Sequence, residues 1–235
     1  MRVVWLLAAF SLAVLACAQQ PLAPDAPSSS KAKSEEALQR QEQSQRILGV
    51  IPMFDVTSRK DAPPLAPGQK FRLFVKGTLD PFQFVTVGIG AGVAQADNDF
   101  PEYGQGAAGY GKRYGAGLAD AVSGGLFSAF LYPVMLRQDP RYFRSGEGPV
   151  TRRMIHALGQ EFVCRTDSGT KTFNFSKVLG ALTASGISNA YYPPDDRGFG
   201  ATMNRTGVAM VNGSVGGLLD EFWPDIRRKV FRKKN

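Results

Sequence analysis

The chain holds one histidine, His156, and two cysteines, Cys17 and Cys164, so its inventory for catalysis is short. A lone imidazole removes every two-histidine metal site and leaves at most one histidine base. Cys164 would need an activating base beside it to act as a nucleophile; without one it is a small buried apolar residue. An enzyme reading rests on His156, Asp139, Asp167 and Arg141. The last three belong to Asp139-Pro140-Arg141-Tyr142-Phe143-Arg144 and Arg165-Thr166-Asp167-Ser168-Gly169. Both segments sit at expected helix ends, where capping and an ion network that locks those ends account for Asp and Arg without catalysis.

Gly104-Gln105-Gly106-Ala107-Ala108-Gly109 has the spacing of a dinucleotide fingerprint and leads into a helix. The fingerprint works because a strand delivers the turn and a later acid reads the ribose, whereas here Pro101 argues against a strand. No Gly-x-Ser-x-Gly elbow occurs, and Ser28-x-x-Lys31 lies in a polar leader with no scaffold for serine chemistry. Asp195-Asp196-Arg197, after Tyr191-Tyr192-Pro193-Pro194, has the groups to hold a cation or a sugar but reads first as a turn. The expectation is a non-enzymatic protein with no catalytic residue, no metal and no cofactor.

Helical periodicity sets the scaffold for these residues. Asp80-Pro81, an N-cap followed by proline at the first helical position, opens a helix that places Phe82, Val85, Ile89 and Val93 on one face and ends near Asn98. Further helices are expected over 106–138, kinked or ended by Pro133, over 150–165, over 176–189 with Ser176 as cap, and over 200–223, stopped by Pro224. Alternating strand patterns are largely absent, so the expected fold is all-α: a bundle of about five glycine-rich helices. Residues 47–77 are rich in proline and read as an extended segment laid over a helical domain at 78–226.

Those helices carry many glycines. Every fourth residue of the second one is small: Ala107, Gly111, Gly115, Ala119, Ser123. The pattern recurs at Gly88, Gly92 and Ala96, at Gly180, Ala184 and Ser188, and at Ala209, Gly213 and Gly217. Gly111, Gly115, Gly117, Gly124 and Gly125 together cost that helix on the order of 4 to 5 kcal/mol relative to alanine. Close approach of backbones along the small stripes is the expected compensation, a packing mode commonest between membrane helices. A helix over 114–136 crosses a bilayer only if Asp120 meets a partner.

The first 18 residues read as a secretion signal: Arg2, then an uncharged apolar stretch from Val3 to Ala16, shorter than a membrane span. Val14-Leu15-Ala16-Cys17 resembles a lipobox, and Ala16-Cys17-Ala18 also fits ordinary cleavage, so Cys17 is either lipidated or removed. Residues 19–46 are Pro, Ser, Ala, Gln, Glu and Lys in the main and read as a disordered linker. The formal charge of the whole chain is +8. Six cations, Arg227, Arg228, Lys229, Arg232, Lys233 and Lys234, crowd the tail at 227–235, which should seek anions. For an exported chain the expected partner is an anionic lipid or lipopolysaccharide surface, or a second copy of the chain, and not nucleic acid.

Five segments together are distinctive: Pro101-Glu102-Tyr103-Gly104-Gln105-Gly106, Tyr110-Gly111-Lys112-Arg113-Tyr114-Gly115, Gln138-Asp139-Pro140-Arg141-Tyr142-Phe143, Asn189-Ala190-Tyr191-Tyr192-Pro193 and Glu221-Phe222-Trp223-Pro224-Asp225-Ile226. Through them the chain resembles, over roughly residues 70 to 230, a family of exported proteins from environmental bacteria: glycine-rich helical envelope proteins with no assigned activity. The resemblance implies one helical envelope domain and transfers no catalytic residue. The functional expectation is a cell-envelope protein of the periplasm or outer membrane, associated with membrane surfaces or with itself through its glycine stripes. The rival expectations are an integral helical assembly, pore or scaffold, and an enzyme of unknown class.

Overall fold

The computed structural model describes residues 37–38, 46–47 and 51–230. Residues 37–38 belong to an N-terminal unit that ends at Leu38, and every other described residue lies in the unit Gln39–Asn235. The signal segment 1–18 with Cys17, most of the linker at 19–46, and Arg232, Lys233 and Lys234 of the tail lie outside the described residues.

The fold is mostly helical, with six helices rather than five. The additional one is α1, Pro67–Thr78, in the stretch expected to be extended. Its prolines were misleading because Pro67 occupies the first helical turn, where the missing N–H costs nothing, and the Gln69 side chain accepts from the Ala66 backbone N–H at 2.8 Å. Next, α2 (Pro81–Ala96) is capped by Asp80, whose carboxylate accepts from Phe82 N at 2.9 Å. The long α3, Gly106–Met135, continues through Pro133. Directly before that proline, Leu126–Leu131 widens into a π-helix, which gives the ring room where an α-turn would press it on the preceding carbonyls.

Helix α4 is Val150–Gly159 and stops short of the expected 165, because Val163–Thr166 is strand. Helix α5, Phe175–Ser188, is capped by Asn174, whose Oδ1 accepts from Lys177 N at 3.1 Å. Ser176, expected as the cap, instead donates from Oγ to Gln138 Oε1 at 2.7 Å. Helix α6, Phe199–Val230, runs straight through Pro224, so 227–230 is helix and not loose tail. Pro224 leaves the carbonyl of Asp220, four residues before it, without its backbone donor. The next carbonyl, of Glu221, accepts from Arg144 Nε at 2.9 Å and Arg153 Nη2 at 2.8 Å, which anchors the turn before the proline to α4.

The short strands gather between α1 and α4. β1 (Arg46–Ile47) pairs antiparallel with β2 (Ile51–Pro52), and β3 (Val56–Thr57) pairs parallel with β5 (Tyr142–Phe143). β4 (Gln138–Asp139), β6 (Val163–Thr166) and β7 (Lys171–Phe173) form an antiparallel sheet in the order β4-β6-β7, with Gln138 opposite Thr166 and Cys164 opposite Thr172. At two to four residues each, these strands are too short to leave an alternating pattern in the sequence.

Helices α2, α3, α5 and α6 pack in that order as neighbours, with α4 against α6 and α1 against the π segment of α3. One end of this layer is closed by the loops after α2 and α5, joined by Tyr103 Oη donating to Tyr191 O at 2.8 Å. The other end carries the strands, α1 and α4, and the small apolar core of Ile47, Met53, Val56, Tyr142 and Ala157.

Polarity runs the unusual way round. The largest fully buried side chains among the described residues are Lys70 and Glu221, while Ile89 of α2 is 63% exposed and Val211 of α6 is 62% exposed. Val85, Ile89 and Val93 of α2, and Val208, Val211, Val215 and Leu219 of α6, form apolar outer stripes.

Candidate functional site

Glu221 anchors the densest polar cluster. Its Oε1 accepts from Arg153 Nε at 2.8 Å and Gly146 N at 2.9 Å, and its Oε2 from Ser145 N at 2.9 Å and Tyr142 Oη at 3.0 Å. Arg153 also reaches Asp225 at 2.5 Å, and its guanidinium lies 4.5 Å from the Phe222 ring centroid. A buried carboxylate is tolerable only when its lone pairs are filled, and these four donors fill them. Burial, and then the Glu221 charge, push the Tyr142 phenol well above its ordinary range, so it stays a donor.

Three smaller clusters repeat the arrangement. Lys70 Nζ donates to Pro133 O, Gln138 O and the Asp167 carboxylate at 2.8 to 3.1 Å, tying α1 to the end of α3. Asp139 and Arg141 form a buried bidentate pair, with Arg141 Nη2 also donating to Pro63 O at 2.6 Å. Asp120, in the middle of α3, accepts from Ser188 Oγ at 2.6 Å, Tyr191 Oη at 2.5 Å and Tyr192 Oη at 2.7 Å. Burial and the Asp120 bond push Tyr191 up to about 12, which keeps that proton on the phenol. Asp120 thus has the partners that an acid in an apolar helix requires.

A cavity of about 210 Å³ lies where α4, α5 and α6 meet β4 and β5. Glu161, Lys177 and Asp220 face it beside the Asp139–Arg141 pair and Cys164, with Lys177 Nζ 3.5 Å from Glu161. It has room for several waters or one small polar molecule. Burial pushes the Cys164 thiol up to about 11, so near neutrality it carries its proton and is a poor nucleophile.

The four residues of the enzyme reading do not converge. His156 Nε2 lies 2.8 Å from Phe143 O, and Asp167 is held by Lys70, both away from the cavity that Asp139 and Arg141 line. In the Gly104–Gly109 turn, Arg113 donates to Asp99 O at 2.9 Å and Gly104 O at 2.6 Å. The turn presents carbonyls to a cation, the reverse of the N–H groups that a pyrophosphate needs. Asp195 and Asp196 lie in a 3₁₀ turn, with Arg205 Nη1 on Asp196 O at 2.8 Å. Among the described residues, no group of three or more His, Cys, Asp or Glu is placed to hold a metal ion.

The glycine stripes divide. A Cβ on Gly180 would lie 2.7 Å from Ser128 Cα, one on Gly217 would lie 2.9 Å from Ala157 O, and one on Gly213 would collide with the Glu161 carboxylate. One on Gly88 would lie 3.2 Å from Tyr110 Oη. Gly92, Gly111 and Gly115, by contrast, have nothing within 4 Å of such an atom, which corrects the expectation that they pack helices together. The stripe of α3 that does meet neighbours is displaced by two residues: Gly109 against Gly104 O, Gly117 against Val87 and Gly125 against Phe74. Two residues turn a helix by about 200°, to the opposite side. Ala119, expected in the open stripe, is half-buried.

Arg227, Arg228 and Lys229 line clefts on either side of the last turns of α6, still in helix. Glu221, Lys70, Glu161 and Lys177 were not singled out by sequence reasoning. Their partners lie far off in sequence, as with Lys70 and Asp167, 97 residues apart, so no local pattern marked them. Comparison with protein families, with curated proteins and with solved structures finds no match.

Proposed function

We propose that the protein is a non-enzymatic scaffold of the bacterial cell envelope whose helical layer is embedded in lipid. The observation that carries this reading is the inverted polarity: ion pairs fill the interior, and valine, isoleucine and leucine cover the outside of α2 and α6. In water, apolar faces of this extent are unfavourable at roughly 25 cal/mol per Å². Against acyl chains they are not, and buried charges then face one another, as intramembrane charges do.

Charge placement agrees. Residues 81–96 of α2, 121–136 at the end of α3 and 206–219 of α6 are each uncharged, runs of about 21 to 24 Å at 1.5 Å per residue. Asp80 and Asp97, Asp120 and Arg137, and Arg205 and Asp220 bound these runs. By length and apolar composition, α3 itself is long enough to cross a membrane. The internal pairing of Asp120 and Glu221 favours a scaffold over a pore, because these charges are occupied by neighbours.

Export rests on the leader from Arg2 to Cys17. The test is to express the full chain, isolate envelopes and wash them with high salt and then with urea. Retention in the membrane pellet through both washes is the expected result, and release by salt alone would support surface association instead. Self-association is a second reading, favoured by the open stripe of Gly111 and Gly115, and the mass of the particle in mild detergent tests it.

A further inference from the structure

Two clefts flank the last turns of α6. In the first, of about 700 Å³, Arg46, Lys60, Arg144, Arg227 and Arg228 face one carboxylate, Glu147, with Trp223 as an apolar wall. The second, of about 960 Å³, is lined by Val150, Phe222 and Ile226 together with Asp225, Arg227 and Arg228. Arg227 and Arg228 therefore line both.

Most of these cations have partners. Arg46 holds Asp80 at 2.5 Å, Lys60 lies 3.7 Å from Glu147, and Arg228 pairs with Asp225. Arg227 has none among the described residues, although it stands where the two clefts meet. Its neighbours across the cleft add positive potential, so an anion placed there gains a charge-assisted partner without displacing one.

We infer that these clefts form one seat for a phosphate-bearing lipid, its phosphate held by Arg227 with Arg228 adding positive potential beside it, and an acyl chain laid along Val150, Phe222 and Ile226. The inference rests on the lipid-embedded reading and adds a specific ligand class to it. What selects a lipid over a free anion is continuity. Val150 is 61% exposed and Ile226 43% exposed, and Ile226 stands seven and eleven residues after Leu219 and Val215, on the face of α6 that carries the outer stripe. A soluble phosphate would use the guanidinium groups and leave those apolar side chains uncovered. Trp223 sits one turn before the cations, at the depth where α6 meets its first charges, the level at which indole rings gather in membrane proteins.

Trp223 also supplies the readout, since the chain has two tryptophans and the other, Trp5, lies in the leader. The full chain carrying Trp5→Phe, purified in an uncharged detergent, is titrated with short-chain phosphatidic acid, with phosphatidylcholine of the same chain length, and with inorganic phosphate. Saturable change in Trp223 emission is expected with phosphatidic acid, at least about tenfold tighter than with the other two. Arg227→Gln with Arg228→Gln should weaken that binding about tenfold or more while leaving the melting temperature in detergent unchanged. Val150→Asn should weaken phosphatidic acid and leave inorganic phosphate as it was. Equal binding of phosphatidylcholine, equal binding of inorganic phosphate, or an unchanged affinity in the double arginine variant would each overturn the seat. The outcome separates from that of the membrane washes: retention without selective binding sinks the seat alone, and selective binding by a chain that salt releases sinks the embedding alone.

Discussion

The inside and the outside of this helical layer have exchanged the compositions expected of a protein in water. Between the helices, Glu221 meets four donors and Asp120 meets three hydroxyl groups, while the outer faces carry Val85, Ile89 and Val93 on one helix and Val208, Val211 and Val215 on another. The difference teaches what holds the layer together. Among the described residues the apolar cluster sits at the strand end, and between the helices mostly small side chains such as Ala91, Ala116 and Ala184 are buried, so helix register depends on ion pairs and on backbone contact at a few glycines. The outer faces contribute little to internal packing and are free to match their surroundings.

The sharpest way to break this comparison is to remove one partner of an interior pair. Arg153→Ala leaves the Glu221 carboxylate buried without its guanidinium, and should cost about 3 to 5 kcal/mol in unfolding measured in mild detergent. A loss under about 1 kcal/mol would mean that the interior pairs do not organise the fold. The complementary change is on the outside. Val211→Arg places a charge within the uncharged run 206–219 of α6, at a cost of about 2.5 to 3.5 kcal/mol for insertion. It should lower the fraction retained in washed membranes and leave the melting temperature in detergent nearly unchanged; equal damage in both assays would place Val211 inside the fold.

Glycines sharpen the contrast at smaller scale. Gly180→Ala drives a methyl into the Ser128 backbone and should destabilise by about 1 to 3 kcal/mol. Gly111→Ala meets open space in mid-helix and should stabilise by about 0.8 to 1 kcal/mol. The same sign for both substitutions would remove the distinction between the two sides of α3.

The smallest expected effect is in pH dependence. The Tyr191 phenol is raised from its ordinary 10 to about 12, so its contribution to stability is complete below pH 10 and is lost as the pH climbs through 12. Unfolding in detergent followed across that interval should show the fall, and Tyr191→Phe should make it shallower. A profile that Tyr191→Phe leaves unaltered would separate the phenol from Asp120.

How much of this was legible in the sequence depends on how local the cause is. The start of α2 was readable because Asp80 and Pro81 are neighbours and the cap is made two residues on. Pro67 and Pro224 misled for a related reason: a proline marks a helix start or a break according to what lies around it, and the guanidinium groups that anchor the turn before Pro224 come from Arg144 and Arg153, 77 and 68 residues before Glu221. The glycine stripe of α3 was read on the wrong side because small residues occupy both sides, at 107, 111, 115, 119 and 123 and again at 109, 117 and 125. Arg113 interrupts the second stripe in the sequence, yet its guanidinium turns to Asp99 O and Gly104 O, so that face still packs. The Asp139 and Arg141 pair was within reach, two residues apart, whereas the cavity of Glu161, Lys177 and Asp220 draws on three separate helical and strand segments and left no local trace.

Embedding of the outer faces is tested most directly by a spin label at a single cysteine replacing Val211, in a Cys17→Ala, Cys164→Ala background reconstituted into phospholipid vesicles. Relaxation of the label enhanced by dissolved oxygen and indifferent to a water-soluble nickel chelate is the result expected of a side chain among acyl chains. Strong enhancement by the nickel chelate, with little from oxygen, would put that face in water and contradict the account.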